Sequence, residues 1–160
     1  MLGTKIYKTD MSNYTDCAIW CNANNATIED KGEYYEVVEI PAPSLEEVKA
    51  QKINELKSIR DAKEVEPVLY AARKFDFDSK SYERITAAIY ALDMQGATST
   101  INWTLADNGS TPVTANDLRG VIAAAAVRSD ALHTAYRALK AQVQAAETVD
   151  DVNNIMWPED

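Results

Sequence analysis

Between Trp103 and Leu118 the chain reads WTLADNGSTPVTANDL, with two aspartates, two asparagines, a glycine and several hydroxyls in sixteen residues. A calcium loop needs oxygen ligands at alternate positions and a bidentate glutamate at the twelfth. Counted from Asp107, Gly109 and Thr111 fall at the third and fifth positions and Leu118 at the twelfth. Glycine and leucine side chains offer no ligand. Asp107-Asn108-Gly109 is better explained as a turn that needs positive φ. Thr114 and Asp117 are better explained as the two halves of a capping box.

Other residues that could do chemistry are few. Asp76 and Asp78 share a face if FDFD is a strand, as paired carboxylates or a divalent-ion site would require. Both also stand at the entrance to a helix, where anions favour the positive end of the dipole. His133 is the only histidine. A catalytic histidine needs a nucleophile or an orienting carboxylate, and Asp130 lies three residues away. The plainer expectation is a polar flank on a helix. Cys17 and Cys21 are the only cysteines. On a strand they would stand about 13 Å apart, too far for a disulfide. Their four-residue spacing would suit a metal pair on a helix, but no histidine or further cysteine completes a site. Two buried thiols in a reducing compartment are expected. With only five glycines there is no phosphate-binding loop, nor is there a nucleophile elbow or a zinc pattern. No catalytic, cofactor-binding or metal-binding residue is assigned.

The elements that must position these residues fall into three stretches. Residues 1–43 read as a small antiparallel β module of two to four strands. DCAIWC is taken as a strand, NANN and EDKGE as turns, and EYYEVVEI as a second strand. Pro41 and Pro43 then break the chain. Residues 44–66 read as a connector helix, with Ser44 and Glu47 forming a capping box and the helix ending near Lys63. Its thin stripe of Leu45, Val48, Ile53, Leu56 and Ile59 needs a partner.

Residues 67–160 read as an α-rich domain. A first hairpin sets Val68 and Tyr70 against Phe75 and Phe77, through a turn at Ala71-Ala72 or Ala72-Arg73. Asp78 caps a helix carrying Tyr82, Ile85, Ala88, Ile89 and Leu92 on one face, ending near Gly96. Ile101, Trp103 and Leu105 alternate in a second hairpin. A long helix follows, with the seam Leu118, Ile122, Ala125, Ser129, Leu132, Tyr136, Leu139, Val143, Ala146 at alternating spacings of four and three. Such a seam faces either the chain's own helices or a second copy in a coiled coil. Ala125 and Ser129 are weak coiled-coil residues, which favours an intramolecular bundle. Thr148 with Asp151 starts one more turn. The fold class expected is α+β.

At 160 residues and a net charge of -9, the chain has ordinary globular size, and its acidity disfavours nucleic acid. No apolar run is long enough for a membrane span, and MLGTKIYKTD lacks the apolar core of a signal peptide. The N-x-S/T triplets at Asn13, Asn25, Asn102 and Asn108 are read as chance matches.

Taken together, these segments resemble known proteins. AIWCNANNATIEDKGEYYEVVEIPAPSLEEV is similar to the amino-terminal region of small proteins encoded beside tail-fibre genes in bacteriophages and prophages. KFDFDSKSYERITAAI and INWTLADNGSTPVTANDLRGVIAAAAVRSDALHTAYRALKAQV resemble a phage domain of uncharacterised function that ends such proteins. Phe75, Asp76, Asp78, Ser81 and Ile85 match its first block. Trp103, Asp107, Asn108, Thr114, Leu118, His133 and Leu139-Lys140 match its second. Relatives often carry a glycine in the turn before Phe75, where this chain has Ala72-Arg73. The resemblance implies a non-enzymatic tail protein, structural and associated with the fibre or baseplate. The alternative is an assembly chaperone that binds the carboxyl end of the fibre. The place expected is the host cytoplasm during assembly, or the virion tail. The partner expected is a fibre or baseplate protein, with a second copy of the chain as the other candidate. Trp20, Tyr34 and Tyr35 of the amino-terminal module are the candidate contact residues.

Overall fold

A computed structural model describes residues 1–158. The chain divides into two units, residues 1–44 and 45–160. The fold is α+β.

The first unit contains β1 (Lys5–Tyr7), α1 (Tyr14–Ala23), β2 (Ala26–Asp30) and β3 (Tyr34–Glu39). Its strands form one antiparallel sheet in the order β1-β3-β2. The EDKGE turn closes β2 onto β3. The Asp30 carboxylate accepts from the Gly32 N–H at 2.8 Å, and Gly32 takes a φ of 90° that favours glycine.

DCAIWC is not a strand. It lies in α1, and the amino-terminal unit is a sheet with a helix, not an all-β meander. Two features, one local and one tertiary, favour the helix over the β-rich composition of this window. Asp16 sits in the first turn, where a carboxylate complements the helix dipole. Cys17 and Cys21, one turn apart, stack on a single buried face against Ile6, Ala26 and Val37. NANN is then the helix stop. Asn25 reverses the chain at φ 48°, a conformation asparagine tolerates, and its carbonyl accepts from the Ile40 N–H at 3.0 Å.

The second unit begins with α2 (Leu45–Glu64). The hairpin β4 (Val68–Tyr70) and β5 (Arg73–Phe75) leads into α3 (Ser79–Gln95). A second hairpin, β6 (Ile101–Thr104) and β7 (Ser110–Val113), leads into α4 (Ala115–Ala145) and then α5 (Val149–Asn153). Both hairpins are antiparallel, and the Ala106 N–H donates to the Lys74 carbonyl at 3.0 Å, tying one to the other. In the first hairpin Ala71 and Ala72 occupy the turn at φ 47° and 60°. Two successive left-handed residues are the type I′ pattern, which matches strand twist but strains alanine.

Three helix starts follow the capping chemistry. The Asp78 carboxylate accepts from the Ser81 N–H at 2.7 Å. Thr114 with Asp117, and Thr148 with Asp151, form complete capping boxes.

The seam of α4 packs within the chain. Its amino-terminal half closes a core of Val68, Phe75, Ile85, Leu92, Trp103 and Leu118. Its carboxyl-terminal half closes a second core, where Leu139 and Val143 meet Val48 and Leu56 of α2 and Val152 of α5. Helices α2 and α4 run antiparallel, since Lys49 reaches the Gln144 carbonyl at 3.1 Å while Glu64 meets Ser129 at 2.8 Å. The one polar interruption of the seam, Ser129, marks the boundary between the two cores.

Candidate functional site

The residues flagged for chemistry occupy structural positions. Asp107 accepts the Gly109 N–H at 2.8 Å, and Asn108 adopts φ 64°, so the DNG stretch is a turn. Hydrogen bonds from Ser81 hold the Asp78 carboxyl below the usual carboxylate range. Those from Thr114 do the same for Asp117. Asp76 is exposed. Cys17 and Cys21 are free thiols, 1% and 4% exposed. Among the described residues no group of three or more His, Cys, Asp or Glu could hold a metal ion, and no helix is long and apolar enough to cross a membrane.

His133 meets a carboxylate, but from α2. Its Nε2 lies 3.4 Å from Oε1 of Glu64, and the same oxygen accepts from Ser129 Oγ at 2.8 Å. One turn away, Arg128 donates to the carbonyls of Glu64, Glu66 and Pro67 at 2.8, 2.7 and 3.2 Å. The Glu64 carbonyl is one that the end of α2 leaves unpaired, and the other two follow it in the chain, so Arg128 acts as a cap supplied by another helix and holds the exit from α2 as well. The set has the residue types of a hydrolytic triad in the wrong order, because the serine hydroxyl points to the carboxylate and not to the imidazole. It is a knot that holds the end of α2 on α4. Spacing along α4 suggested Asp130 as a partner for His133. Glu64 lies 69 positions away in the chain and carries no local signal.

The amino-terminal sheet has two different faces. Ile6, Ala26 and Val37 are buried under α1, with Trp20 and Tyr35 packed against the same core. Tyr14 meets Tyr35 edge to face, with ring centroids 5.6 Å apart. The other face carries Lys5, Tyr7, Thr27, Glu29, Tyr34, Glu36 and Val38, and no helix of its own unit covers it. Here Tyr7 and Tyr34 meet at 5.8 Å, and Lys5 Nζ stands 4.5 Å from the Tyr34 ring centre. Hydrogen bonding and charge interaction with Tyr34 raise the Lys5 pKa. Tyr7 is 54% exposed.

Of the three candidate contact residues, then, Tyr34 lies on the uncovered face, while Trp20 and Tyr35 lie with the core. Tyr7 was missed. The alternation of KIYK, with Ile6 inward and Lys5 and Tyr7 outward, is the signal that marks β1 and its outward ring.

The class of protein is thus an α+β chain whose second unit is a helix pair extended by two hairpin-to-helix modules. The model of a family described as a domain of unknown function, DUF4376, matches residues 47–155. That span is more than half of the chain, and the chain belongs to this family. No curated protein and no solved structure matches it.

Proposed function

We propose that this chain is a non-enzymatic protein of a bacteriophage tail, a structural component associated with the fibre or baseplate. Its amino-terminal unit is the part that docks on a neighbouring tail protein. The resemblance of residues 17–147 to proteins encoded beside tail-fibre genes supplies the context. The observation that carries the docking assignment is the sheet face that α1 leaves open, where Tyr7 and Tyr34 form an aromatic pair. A sheet of three short strands needs one buried face, which α1 supplies, so the second face is left free to serve a partner. An outward aromatic pair supplies large contact area at low entropic cost.

Co-expression with the adjacent fibre gene tests the assignment. Full-length chain should co-purify with the fibre, and deletion of residues 1–43 should abolish this while leaving a folded helical remainder. Tyr7→Ala with Tyr34→Ala should weaken the association in the same way. Undiminished binding by the truncated chain would move the docking surface to the second unit. Particles purified away from the lysate then separate the two roles. A retained chain is a virion component, and a chain that binds the fibre but is lost from particles is an assembly chaperone.

A further inference from the structure

Two shallow hollows on the second unit share Glu64, Phe77 and Tyr82 as lining residues. The larger, about 440 Å³, is also walled by Val65, Asp78 and Glu83. The smaller, about 220 Å³, is floored by Ile122 and Ala125 of α4. Phe77 and Tyr82 meet edge to face, with centroids 6.0 Å apart and planes at 72°. Tyr82 is 47% exposed and Val65 55% exposed, so the aromatic wall is open to solvent.

The charge of this groove is one-sided. Three carboxylates line the larger hollow and no base does. Asp78 is occupied by the Ser81 N–H, and Glu64 by Ser129 and His133. Lys80 lies near enough to Asp78 to favour its ionised form, but it is not part of the wall. The Glu83 carboxylate has no hydrogen-bond or ion-pair partner among the described residues. Arg128, the one base lining the smaller hollow, is committed to three backbone carbonyls. An exposed aromatic wall next to an unpaired carboxylate is complementary to a cation with an apolar or planar body.

We propose that this groove receives an arginine side chain of a protein partner, its guanidinium stacked on Tyr82 and paired with Glu83. Arginine fits better than lysine because its plane stacks on a ring, its fork matches a carboxylate, and it is less strongly hydrated than an ammonium. The site is separate from the amino-terminal sheet face and stands whether or not the tail assignment does.

The test uses the isotope-labelled full chain, titrated with acetyl-Gly-Arg-Gly-amide and followed by amide chemical shifts. The lysine and glutamine versions of the same peptide are the comparisons. One positive charge per probe keeps general attraction to an acidic protein small and equal for the two cationic peptides. The arginine peptide should give saturable shifts confined to residues 64–65 and 77–83, with a dissociation constant in the millimolar range, as suits a single side chain. The lysine peptide should bind roughly threefold more weakly and the glutamine peptide not at all. Glu83→Gln, an exposed and isosteric change, should weaken the arginine peptide roughly threefold, and Tyr82→Ala at least as much, with the remaining amide spectrum unchanged. Shifts scattered over acidic residues elsewhere, equal binding of arginine and lysine peptides, a matching response to the glutamine peptide, full binding by both variants, or no saturation would each overturn the proposal.

Discussion

Replacing Gly120 by alanine sets two effects of opposite sign against each other. Gly120 lies inside α4, where alanine is favoured over glycine by about 1 kcal/mol. On exposure grounds alone the substitution should stabilise. A β-carbon placed there, however, falls well inside contact distance of the Cζ, Cε2 and Oη atoms of Tyr70. Tyr70 ends β4, and its ring meets Phe75 edge to face at 6.5 Å. The ring must swing away to admit a methyl group. That sacrifices an aromatic pair, roughly 0.5–1.5 kcal/mol, and adds overpacking of roughly 1–3 kcal/mol. Because the obstacle is the far end of a movable side chain, both costs fall toward the low ends of their ranges, together about 2 kcal/mol; against a gain of about 1, Gly120→Ala should destabilise by about 1 kcal/mol. In a Tyr70→Ala background the obstruction is gone, and the same change should stabilise by about 1 kcal/mol, a coupling of about 2. Urea unfolding followed by helical circular dichroism, on the four proteins of the cycle, measures both numbers. Equal stabilisation by Gly120→Ala in both backgrounds would show that the ring does not rest on the helix, and the packing of the first hairpin on α4 would have to be redrawn.

Two further outcomes rest on backbone and charge. Ala72→Gly should raise stability by about 0.5 kcal/mol in the same urea assay, because relief of the left-handed strain exceeds the entropy lost with glycine; a loss of stability would mean that the turn is not of the type I′ form. Stability should also fall at both ends of the pH range. The folded-state pKa values of Asp10, Asp30, Asp78 and Asp117 are lowered from 3.8 by hydrogen bonds, so what they contribute is present above that value and lost as pH falls through their folded values. Those of Lys5, Lys8 and Lys31 are raised from 10.5, so their contribution is present below that value and lost as pH rises beyond it. Asp78→Asn combined with Asp117→Asn should flatten the acid decline of the urea midpoint, and an unchanged acid limb would assign it to other groups.

Much of the local architecture was legible without coordinates. Helix starts at Asp78, Thr114 and Thr148, the end of α3 at Gly96, the turn at Asp107-Asn108-Gly109 and the long seam of α4 all follow from side-chain chemistry acting over four residues or fewer. The α+β class follows from them. The helix α1 was not legible in the same way. Its apolar residues run round the helix, with Ile19 64% exposed, so no stripe marked it off from a strand. What settled it was a sheet of three strands with one face to bury, a demand that exists only once β1, β2 and β3 have paired.

The same division holds for the residues that could bind or react. Composition and spacing alone determined that Asp107, Asp78 and Asp117 have backbone groups to satisfy, because each partner lies two or three positions away. Tertiary structure alone decided the fate of His133, of the lone serine in the seam, and of the aromatic rings. Glu64 reaches Ser129 and His133 only because α2 and α4 lie antiparallel, and Val65 comes to line a hollow with the local Phe77–Tyr82 pair because Arg128 holds the exit from α2. Which side of a strand faces solvent is written in its alternation. Which side is covered depends on what the rest of the chain has to bury, and for Tyr7 and Tyr34 that is the uncovered side.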